Sequence, residues 1–340
     1  MDIKGAYLNG KLNKNEVLYM QFPPSYKPRD VRMCILCLKK TPYGLKQSGQ
    51  CWNQKLLSIF DSLSFKKCSV DQAVFFKSNP LKNEITVVAV HVNDCTITAS
   101  NLHLIEDFKA GLHKHIEVTD LSKLHWMLGV EIKHNCEAST IYLSQRMYID
   151  LILRHYNFDE LKPLSFPMNP SICLMSKQSP SSMVKHVIMH DKPYHEAVRA
   201  LNWATLTTCP NITFAVTTVA RFATNPGPAH WEAVKRIFCY LSGTCKLWLT
   251  YEETKQVLEG YADTDGSMNE DRCAIIGYAF LIDGGAVSWS SKRQKIISLS
   301  TTESEYVTAT HGMKEALWLH SLLFKVFTPI KPPTTLFSDN

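Results

Sequence analysis

The sequence predicts an α+β protein, because short runs of β-branched residues alternate along the chain with segments whose apolar residues recur on one helical face. Residues 84–100 are the clearest strand pair, since two apolar runs flank residues 91–94, where a hairpin would turn. Residues 48–63 are a clear amphipathic helix. At 340 residues, 45% of them hydrophobic and 20% charged, the chain is long enough for two or three domains with cores of their own.

Further strand and helix patterns surround these two elements in the first half of the chain. A short strand is expected in residues 1–8, just before the Asn9-Gly10 turn. Helices are expected at residues 102–112 and 145–156, where apolar residues recur at helical spacing. The other strands of this half are predicted at residues 17–22, 33–39, 73–77, 128–133 and 140–144.

The second half begins with helices and continues with strands. Helices are predicted at residues 194–207, 212–223 and 230–241. A long helix follows the capping box at residues 300–303 and should run to about Val326. The residues expected to face inward are Tyr306, Ala309, Met313, Ala316, Leu317 and Leu323. Strands are expected at residues 247–251, 257–263, 275–282, 286–290, 295–299 and 335–337, of which 295–299 would close a sheet.

One change of composition divides the chain. Residues 161–192 are rich in Pro, Ser, Met and Lys without clear periodicity, which predicts a linker or a long surface connection. The predicted organisation is therefore a first α+β part at residues 1–160, a linker at 161–193, a helical part at 194–255 and an α/β part at 256–340.

Charge and cysteine content limit the class of protein. The net charge of +6, from 37 basic and 31 acidic residues, is compatible with a polyanionic partner but does not prove one. Eleven cysteines without framework spacing favour free thiols in a reducing compartment, and the Cys34–Cys37 pair lacks the second pair of a zinc site. No apolar run approaches the roughly 20 residues of a membrane span, and no leader precedes the first strand, so we expect a soluble protein without a membrane segment.

Two carboxylates belong to the predicted elements around the hairpin. Asp2 lies on the first strand and Asp94 lies at the hairpin turn, so an antiparallel sheet could bring them to one edge. Because two nearby carboxylates repel each other unless a cation bridges them or one takes up a proton, their convergence would imply a metal ion. The alternative is an ordinary hairpin with Asn-Asp turn chemistry.

A second set of carboxylates follows the order strand, helix, strand. Asp263 and Asp339 end strands, and Glu305 lies in the first turns of the long helix. This order suits two divalent ions about 4 Å apart that act on a phosphodiester. Alternatively, Glu305 is only a favourable charge at a helix N-terminus, and Asp263 only a loop former.

An ordered series of motifs connects these elements to a known family. The chain contains, in order, MDIKGAYLNG, TPYGLKQSGQCW, VAVHVNDCTI, LHWMLGVEI, GYADTD, GGAVSWSSKRQKIISLSTTESEY and KEALWLHSLL. With these motifs it resembles the reverse transcriptase and ribonuclease H part of a copia-type retrotransposon polyprotein over essentially its whole length. The resemblance implies a palm and thumb-like region without fingers at residues 1–160, a helical connection at 194–255 and a C-terminally truncated ribonuclease H-like domain at 256–340.

The resemblance also implies roles for individual residues. Asp2 matches the first palm aspartate, which binds both metal ions, and Asp94 matches an aspartate of the polymerase hairpin. Tyr7 matches the aromatic gate under the incoming sugar, and Lys46 with Gln47 matches the segment against nucleotide and template. Three of the four ribonuclease H carboxylates are matched by Asp263, Glu305 and Asp339.

The ligands that the resemblance implies are those of a reverse transcriptase. They are Mg²⁺ or Mn²⁺, deoxynucleoside triphosphates, an RNA template, a DNA primer and an RNA/DNA hybrid. Intact relatives are expected in cytoplasmic particles and in the nucleus. The resemblance leaves the oligomeric state open.

Two departures from the family pattern fall in the hairpin. His91 stands where the family has Tyr, and Asn93 stands where it has the first hairpin Asp. An amide removes one negative charge from a two-metal site, and a lost metal ligand can cost several kcal/mol of transition-state stabilisation. Together with the fingers and the fourth ribonuclease H carboxylate expected to be missing, this predicts a degenerate copy with impaired or absent polymerisation. The alternatives are a non-catalytic nucleic-acid-binding relic, a hydrolase alone, or a relic without a selected role.

Overall fold

The chain forms two units in the computed structural model, which describes residues 1–12, 15–23, 35–182, 187, 189–253, 258–265, 273–327 and 334–338. The first unit comprises Met1–Leu124 and Leu322–Thr328, and the second comprises His125–Ser321 and Pro329–Asn340. Each unit has its own buried hydrophobic core. The mixed α+β class predicted from the sequence is confirmed.

The first unit is built on an antiparallel sheet. Its strands are β1 (Asp2–Ile3), β2 (Tyr19–Gln21), β3 (Ile35–Cys37), β4 (Lys66–Lys67), β5 (Val74–Asn79), β6 (Glu84–His91), β7 (Asp94–Ala99) and β8 (Val118–Thr119). Six of them form a sheet in the order β4-β5-β6-β7-β1-β8, in which every neighbouring pair is antiparallel, while β2 and β3 form a separate ribbon. The short β1 is thus inserted between β7 and β8.

Two helices cover one face of this sheet. They are α1 (Ser48–Ser62) and α2 (Leu102–His113), both close to the predicted ranges. Phe60 of α1 is completely buried and contacts Phe75 of β5 and Phe108 of α2. The side chains of Ile3 and Cys95 belong to the same core, so this face of the sheet is apolar and closed.

The described residues of the second unit form two sheets and several helices. Its first sheet has the order β12-β11-β10-β9, all antiparallel, from β9 (Trp126–Met127), β10 (Val130–Asn135), β11 (Thr140–Ser144) and β12 (Leu249–Glu252). The helices α3 (Arg146–His155), α4 (Tyr194–Thr207), α5 (Thr213–Ala220) and α6 (Pro228–Thr244) share one core. Residues 161–193, the predicted linker, contribute the buried Leu174 and Met189 to this core.

The second sheet of this unit combines antiparallel and parallel pairing. Its order is β15-β14-β13-β16, from β13 (Leu258–Asp265), β14 (Ile275–Ile282), β15 (Gly285–Arg293) and β16 (Thr335–Phe337). The first three strands are antiparallel neighbours, and β16 joins β13 in parallel after the long helix α7 (Thr301–Val326). A helix between two parallel strands is the usual crossover connection.

The inward face predicted for α7 is wrong for its large residues Tyr306, Met313 and Leu317, which are exposed, whereas Ala309, Ala316 and Leu323 are half-buried. Tyr306 and Leu317 are 73% and 68% exposed, whereas small or polar residues of the helix, Ser304, Thr308 and Gly312, are buried. A Cβ added to Gly312 would lie 3.6 Å from the Ala262 Cβ and 3.3 Å from the Leu336 side chain. The helix therefore packs close to β13 and β16 through small residues, which a search for large apolar residues cannot detect.

The strand predicted at residues 295–299 does not form. The ladder ends where the Gln294 N–H donates to the Ala274 carbonyl (2.8 Å). The following loop caps the N-terminus of α7. The Ser300 hydroxyl accepts from the Glu303 N–H (3.1 Å), and the Glu303 carboxylate accepts from the Leu299 N–H (2.7 Å). The predicted capping residues thus bind this loop to the helix.

The ten cysteines in the described part of the chain form no disulfide bond with one another, while Cys34 lies outside the described residues. No helix of the described part is both long enough and apolar enough to cross a bilayer.

His230 is a buried titratable group in the helical core. Its Nδ1 accepts a hydrogen bond from the Gly227 N–H (2.8 Å), its Nε2 lies 3.2 Å from the Met175 carbonyl oxygen, and its ring stacks on Phe222 at 3.9 Å. Burial lowers the pKa of His230 below its usual 6.5, against the opposing effect of the Met175 carbonyl. The imidazole is therefore neutral in the folded protein at neutral pH.

Acidification from about pH 7.5 to about pH 5 is expected to destabilise the second unit through His230. Because the folded state has the lower pKa, the unfolded state binds more protons below about pH 6.5, and stability falls as the pH decreases through the unfolded pKa. Urea unfolding at the two pH values measures the loss. His230→Gln, whose side-chain oxygen still accepts the Gly227 bond, should lose less; equal losses would contradict the role of His230.

Candidate active site

Asp2 and Asp94 lie directly opposite each other on β1 and β7. Two backbone hydrogen bonds flank them, from the Ile3 N–H to the Asn93 carbonyl (2.8 Å) and from the Cys95 N–H to the Met1 carbonyl (2.9 Å). This pattern makes them a non-hydrogen-bonded antiparallel pair, whose Cα atoms lie roughly 4.5 Å apart with adjacent side chains. Because their neighbours in sequence are buried in the core, both carboxylates lie on the other, open face of the sheet.

The hairpin that carries Asp94 has a two-residue turn. His91 and Asp94 are its last paired residues, and Val92 and Asn93 form the turn. Val92 has a φ of +57°, whereas Asn93 does not have a positive φ, as in a type II′ turn. The first position of such a turn favours Gly, so a β-branched residue is strained there.

Asn93 contacts the carboxylate pair directly. Its side-chain amide donates a hydrogen bond to Oδ1 of Asp2 (2.5 Å). The amide thus supplies a partial positive charge where a carboxylate would add a third negative charge. This is the central polar contact of the site.

The donor set fits one divalent cation better than two. Mg²⁺ is commonly bound by one or two carboxylates together with water and substrate phosphate oxygens, and Asp2 and Asp94 supply two adjacent carboxylates. One oxygen of Asp2 is already engaged by an amide donor. In the part of the chain that the structure describes, no group of three His, Cys, Asp or Glu side chains could hold a metal ion.

Cys95 lies next to the carboxylates but remains neutral. Burial raises the pKa of its thiol to about 12, and the charges of Asp94 and Asp2 act in the same direction. Its side chain belongs to the buried core beneath the sheet, so the thiol is a small core side chain on the face opposite the carboxylates.

The structure also brings the predicted gate residue next to the TPYG motif. Tyr7 lies in a turn of 3-10 helix (Ala6–Asn9), and its ring packs edge to face on Tyr43 at 4.9 Å. The buried Thr41 hydroxyl donates to the Tyr7 carbonyl (2.6 Å) and fixes this turn. Further along, Lys46 is exposed, while the Gln47 amide donates to Glu16 (3.1 Å).

The second carboxylate set is described only in part. Asp263 is exposed on β13, accepts a hydrogen bond from the Thr264 N–H (2.6 Å) and lines a cavity of about 560 Å³ with Tyr261, Tyr278 and Phe337. Glu305 is half-buried near the start of α7. Asp339 lies outside the described residues, so the roles of this set remain predictions.

Sequence reasoning missed the polar role of Trp52. The helical pattern identifies it only as a core residue, but its buried indole N–H donates to the Val92 carbonyl (2.8 Å) in the strained turn. Tyr43 and Thr41 were also missed as partners of Tyr7, although they belong to the recognised TPYG segment.

Comparison with known proteins assigns this site to a class. A family model described as reverse transcriptase (RNA-dependent DNA polymerase) matches residues 1–170, which is half of the chain. The chain belongs to the reverse transcriptase family. Such enzymes generally use Mg²⁺ and bind nucleic acid and deoxynucleoside triphosphates.

Similar curated proteins narrow this class to copia-type retrotransposons. The chain is 36% identical over 324 residues, 95% of its length, to the retrovirus-related Pol polyprotein from transposon TNT 1-94 of Nicotiana tabacum. It is 30% identical over 342 residues, 100% of its length, to the retrovirus-related Pol polyprotein from transposon RE1 of Arabidopsis thaliana. It covers 24% and 22% of these relatives, about a quarter of their length. A putative transposon Ty5-1 protein of Saccharomyces cerevisiae is 28% identical over 318 residues and is covered completely. The chain is thus a reverse transcriptase region of a copia-type Pol polyprotein.

Replacing Asn93 by Asp should make stability depend on divalent cations. The change removes the hydrogen bond to Asp2 and adds a third carboxylate, so we expect the free energy of unfolding in EDTA to fall by about 1–2 kcal/mol. Mg²⁺ should restore it by bridging the carboxylates. Urea unfolding with and without MgCl₂ measures both effects.

Asn93→Ala is the matched control, because it loses the same bond without adding a charge. It should be destabilised in EDTA but gain no more from Mg²⁺ than the unmodified protein does. An Asn93→Asp protein as stable in EDTA as the unmodified chain would contradict the importance of the contact with Asp2.

Proposed function

We propose that this chain is a reverse transcriptase and ribonuclease H region in which DNA polymerisation is severely impaired or absent. The observation that supports this proposal is the hydrogen bond from the Asn93 amide to Asp2, at a position where a carboxylate would be a metal ligand. The proposed parts are a palm and thumb-like region at residues 1–160, a connecting segment at 161–193, a helical connection at 194–255 and a ribonuclease H-like domain at 256–340.

The ancestral reaction is nucleotidyl transfer. A primer 3′-hydroxyl loses its proton and attacks the α-phosphorus of a deoxynucleoside triphosphate opposite an RNA template, and pyrophosphate leaves, with the nucleic acid held largely through its phosphates. Asp2 and Asp94 would hold Mg²⁺ or Mn²⁺, which when bound supplies Lewis-acid stabilisation of the phosphate charge. Each of these two carboxylates is also fixed by the sheet register before any ligand arrives.

The nucleotide would lie beside the Tyr7 turn. Tyr7 would stack under the sugar and exclude a 2′-hydroxyl, and the edge-to-face contact with Tyr43 supports its ring from one side. The exposed Lys46 can reach an anionic ligand, whereas the amide of Gln47 would first have to leave Glu16. Lys46 is therefore the better candidate for a phosphate contact.

Asn93 lowers the capacity of this site for chemistry. A two-metal mechanism needs enough negative charge to hold both ions, and the amide removes one charge and binds one oxygen of Asp2. A loss of several kcal/mol in the transition state corresponds to a rate lower by at least about a hundredfold. The fold of the site can persist without its activity.

Primer extension tests this proposal. On an RNA template with a DNA primer and Mg²⁺ or Mn²⁺, the unmodified protein should extend at background level, and Asn93→Asp should raise the rate by at least about tenfold because a metal ligand is restored. Asn93→Asp combined with Asp94→Asn should return to background. Efficient extension by the unmodified protein would overturn the proposed impairment.

Hydrolysis of an RNA/DNA hybrid is the second candidate activity. It is favoured by the sheet order β15-β14-β13-β16. In this sheet β16 pairs in parallel with β13, and the long helix that carries Glu305 precedes β16 in the chain. Asp263, Glu305 and Asp339 are the proposed catalytic and metal-binding carboxylates of this domain.

Hybrid cleavage with Mg²⁺ or Mn²⁺ should be lost in Glu305→Gln by more than about a hundredfold, while Asp2→Ala should leave it unchanged. The measurement is release of labelled RNA fragments. If the unmodified protein does not cleave, the hydrolase proposal fails. Salt-dependent binding of the hybrid without extension or cleavage would instead identify a non-catalytic binding module.

A further inference from the structure

The turn between β6 and β7 is held in a conformation that its own sequence disfavours. Val92 has a φ of +57°, a region that β-branched residues rarely occupy because of steric contacts with the backbone. Such a conformation persists only where the surrounding structure imposes it. The contacts that impose it therefore determine where Asn93 and Asp94 point.

One side chain from outside the sheet reaches the backbone of this turn. Trp52, in the second turn of α1, is 4% exposed, and its indole N–H donates to the Val92 carbonyl (2.8 Å). The Val92 side chain packs on the same core as Trp52. Asn93, the other residue of the turn, accepts from the Ile3 N–H through its carbonyl and donates to Asp2 through its side-chain amide.

We infer that Trp52 is a positioning residue for the carboxylate pair, a role that rests on the proposed metal site at Asp2 and Asp94. Without the indole hydrogen bond, the Val92 carbonyl loses its partner and the peptide at the strained position is free to rotate. Rotation there changes the direction of Asn93 and shifts Asp94 relative to Asp2. Because a cation needs oxygen ligands at fixed separation, this shift weakens binding without unfolding the sheet.

The position of Trp52 in the chain gives this role a second consequence. It lies five residues after Gln47, in the helix that follows the proposed nucleotide segment. One helix turn therefore connects the segment beside Tyr43 and Lys46 to the hairpin that carries Asp94. The proposed nucleotide segment and the proposed metal ligands are therefore connected through α1 as well as through the sheet.

The chain offers a matched control for the test. Trp289 also donates its indole N–H to a backbone carbonyl, that of Thr205 (2.6 Å), but it lies in the second unit. Trp52→Phe and Trp289→Phe therefore remove the same type of hydrogen bond at the two places. Only the first should affect the carboxylate pair.

The experiment measures Mn²⁺ binding by electron paramagnetic resonance and amide exchange by hydrogen–deuterium exchange in the full chain. In Trp52→Phe the Mn²⁺ affinity that depends on Asp94 should fall roughly threefold to tenfold, the range of one lost hydrogen bond. The amides of Ile3 and Cys95 should exchange faster than in the unmodified protein. Trp289→Phe should match the unmodified protein in both measurements, and Asp94→Asn identifies which Mn²⁺ site is observed.

The outcomes separate this inference from the proposed function. Unchanged Mn²⁺ affinity and unchanged exchange at Ile3 and Cys95 in folded Trp52→Phe would overturn the positioning role. If the unmodified protein shows no Mn²⁺ site that depends on Asp94, the proposed metal site is refuted, and so is the positioning of its ligands by Trp52. Faster exchange in Trp52→Phe would then show only that Trp52 fixes the hairpin. Should Trp52→Phe not fold, benzothienylalanine at position 52 retains the shape of Trp without its N–H donor, and the same criteria apply.

Discussion

Two carboxylates stand directly opposite each other on neighbouring strands, and much of the first unit serves to keep them there. Like charges at a non-hydrogen-bonded pair destabilise a sheet, because this is where side chains approach most closely. Asp2 and Asp94 form such a destabilising pair, and the hydrogen bond from the Asn93 amide to Asp2 offsets part of the repulsion between them. The closed core beneath, the inserted strand β1 and the hairpin turn together hold this pair in register.

The two carboxylate sets depend on different kinds of structural order. The pair at Asp2 and Asp94 is fixed by backbone hydrogen bonds, which set the register of two adjacent strands. The position of Glu305 depends instead on how α7 packs on β13 and β16, through buried small residues such as Gly312. A larger side chain at Gly312 would come into close contact with Leu336 of β16, whereas the first pair depends on its ladder and on the Trp52 hydrogen bond to the hairpin turn.

Much of the fold could be predicted from local pattern, and its exceptions have physical reasons. Strands β11 and β14 occupy the predicted residues because their β-branched and aromatic content favours a half-buried strand. Residues 295–299 have similar composition but form a helix-capping loop, since strand propensity does not reveal where a ladder ends. The convergence of Asp2 with Asp94 could be expected from the motifs but needed the register to be established. The hydrogen bond from Trp52 to Val92 could not be predicted, because hydrophobic periodicity indicates which residues are buried but not where an indole N–H points.

Asn93 gives Asp2 a hydrogen-bond donor at a position where a carboxylate would add a third negative charge. A third carboxylate beside Asp2 and Asp94 would repel them unless a cation bridged the group or one carboxylate took up a proton, whereas the amide donates to Asp2 and needs neither. Natural active sites often sacrifice stability for function, and relaxing that demand is a common route to a more stable fold. The same residue that we propose to impair polymerisation therefore also offsets part of the repulsion between the two carboxylates that oppose each other across β1 and β7. Retention of the fold is thus weak support for retained activity. The side-chain chemistry at position 93 says more about polymerase activity than the surrounding fold does.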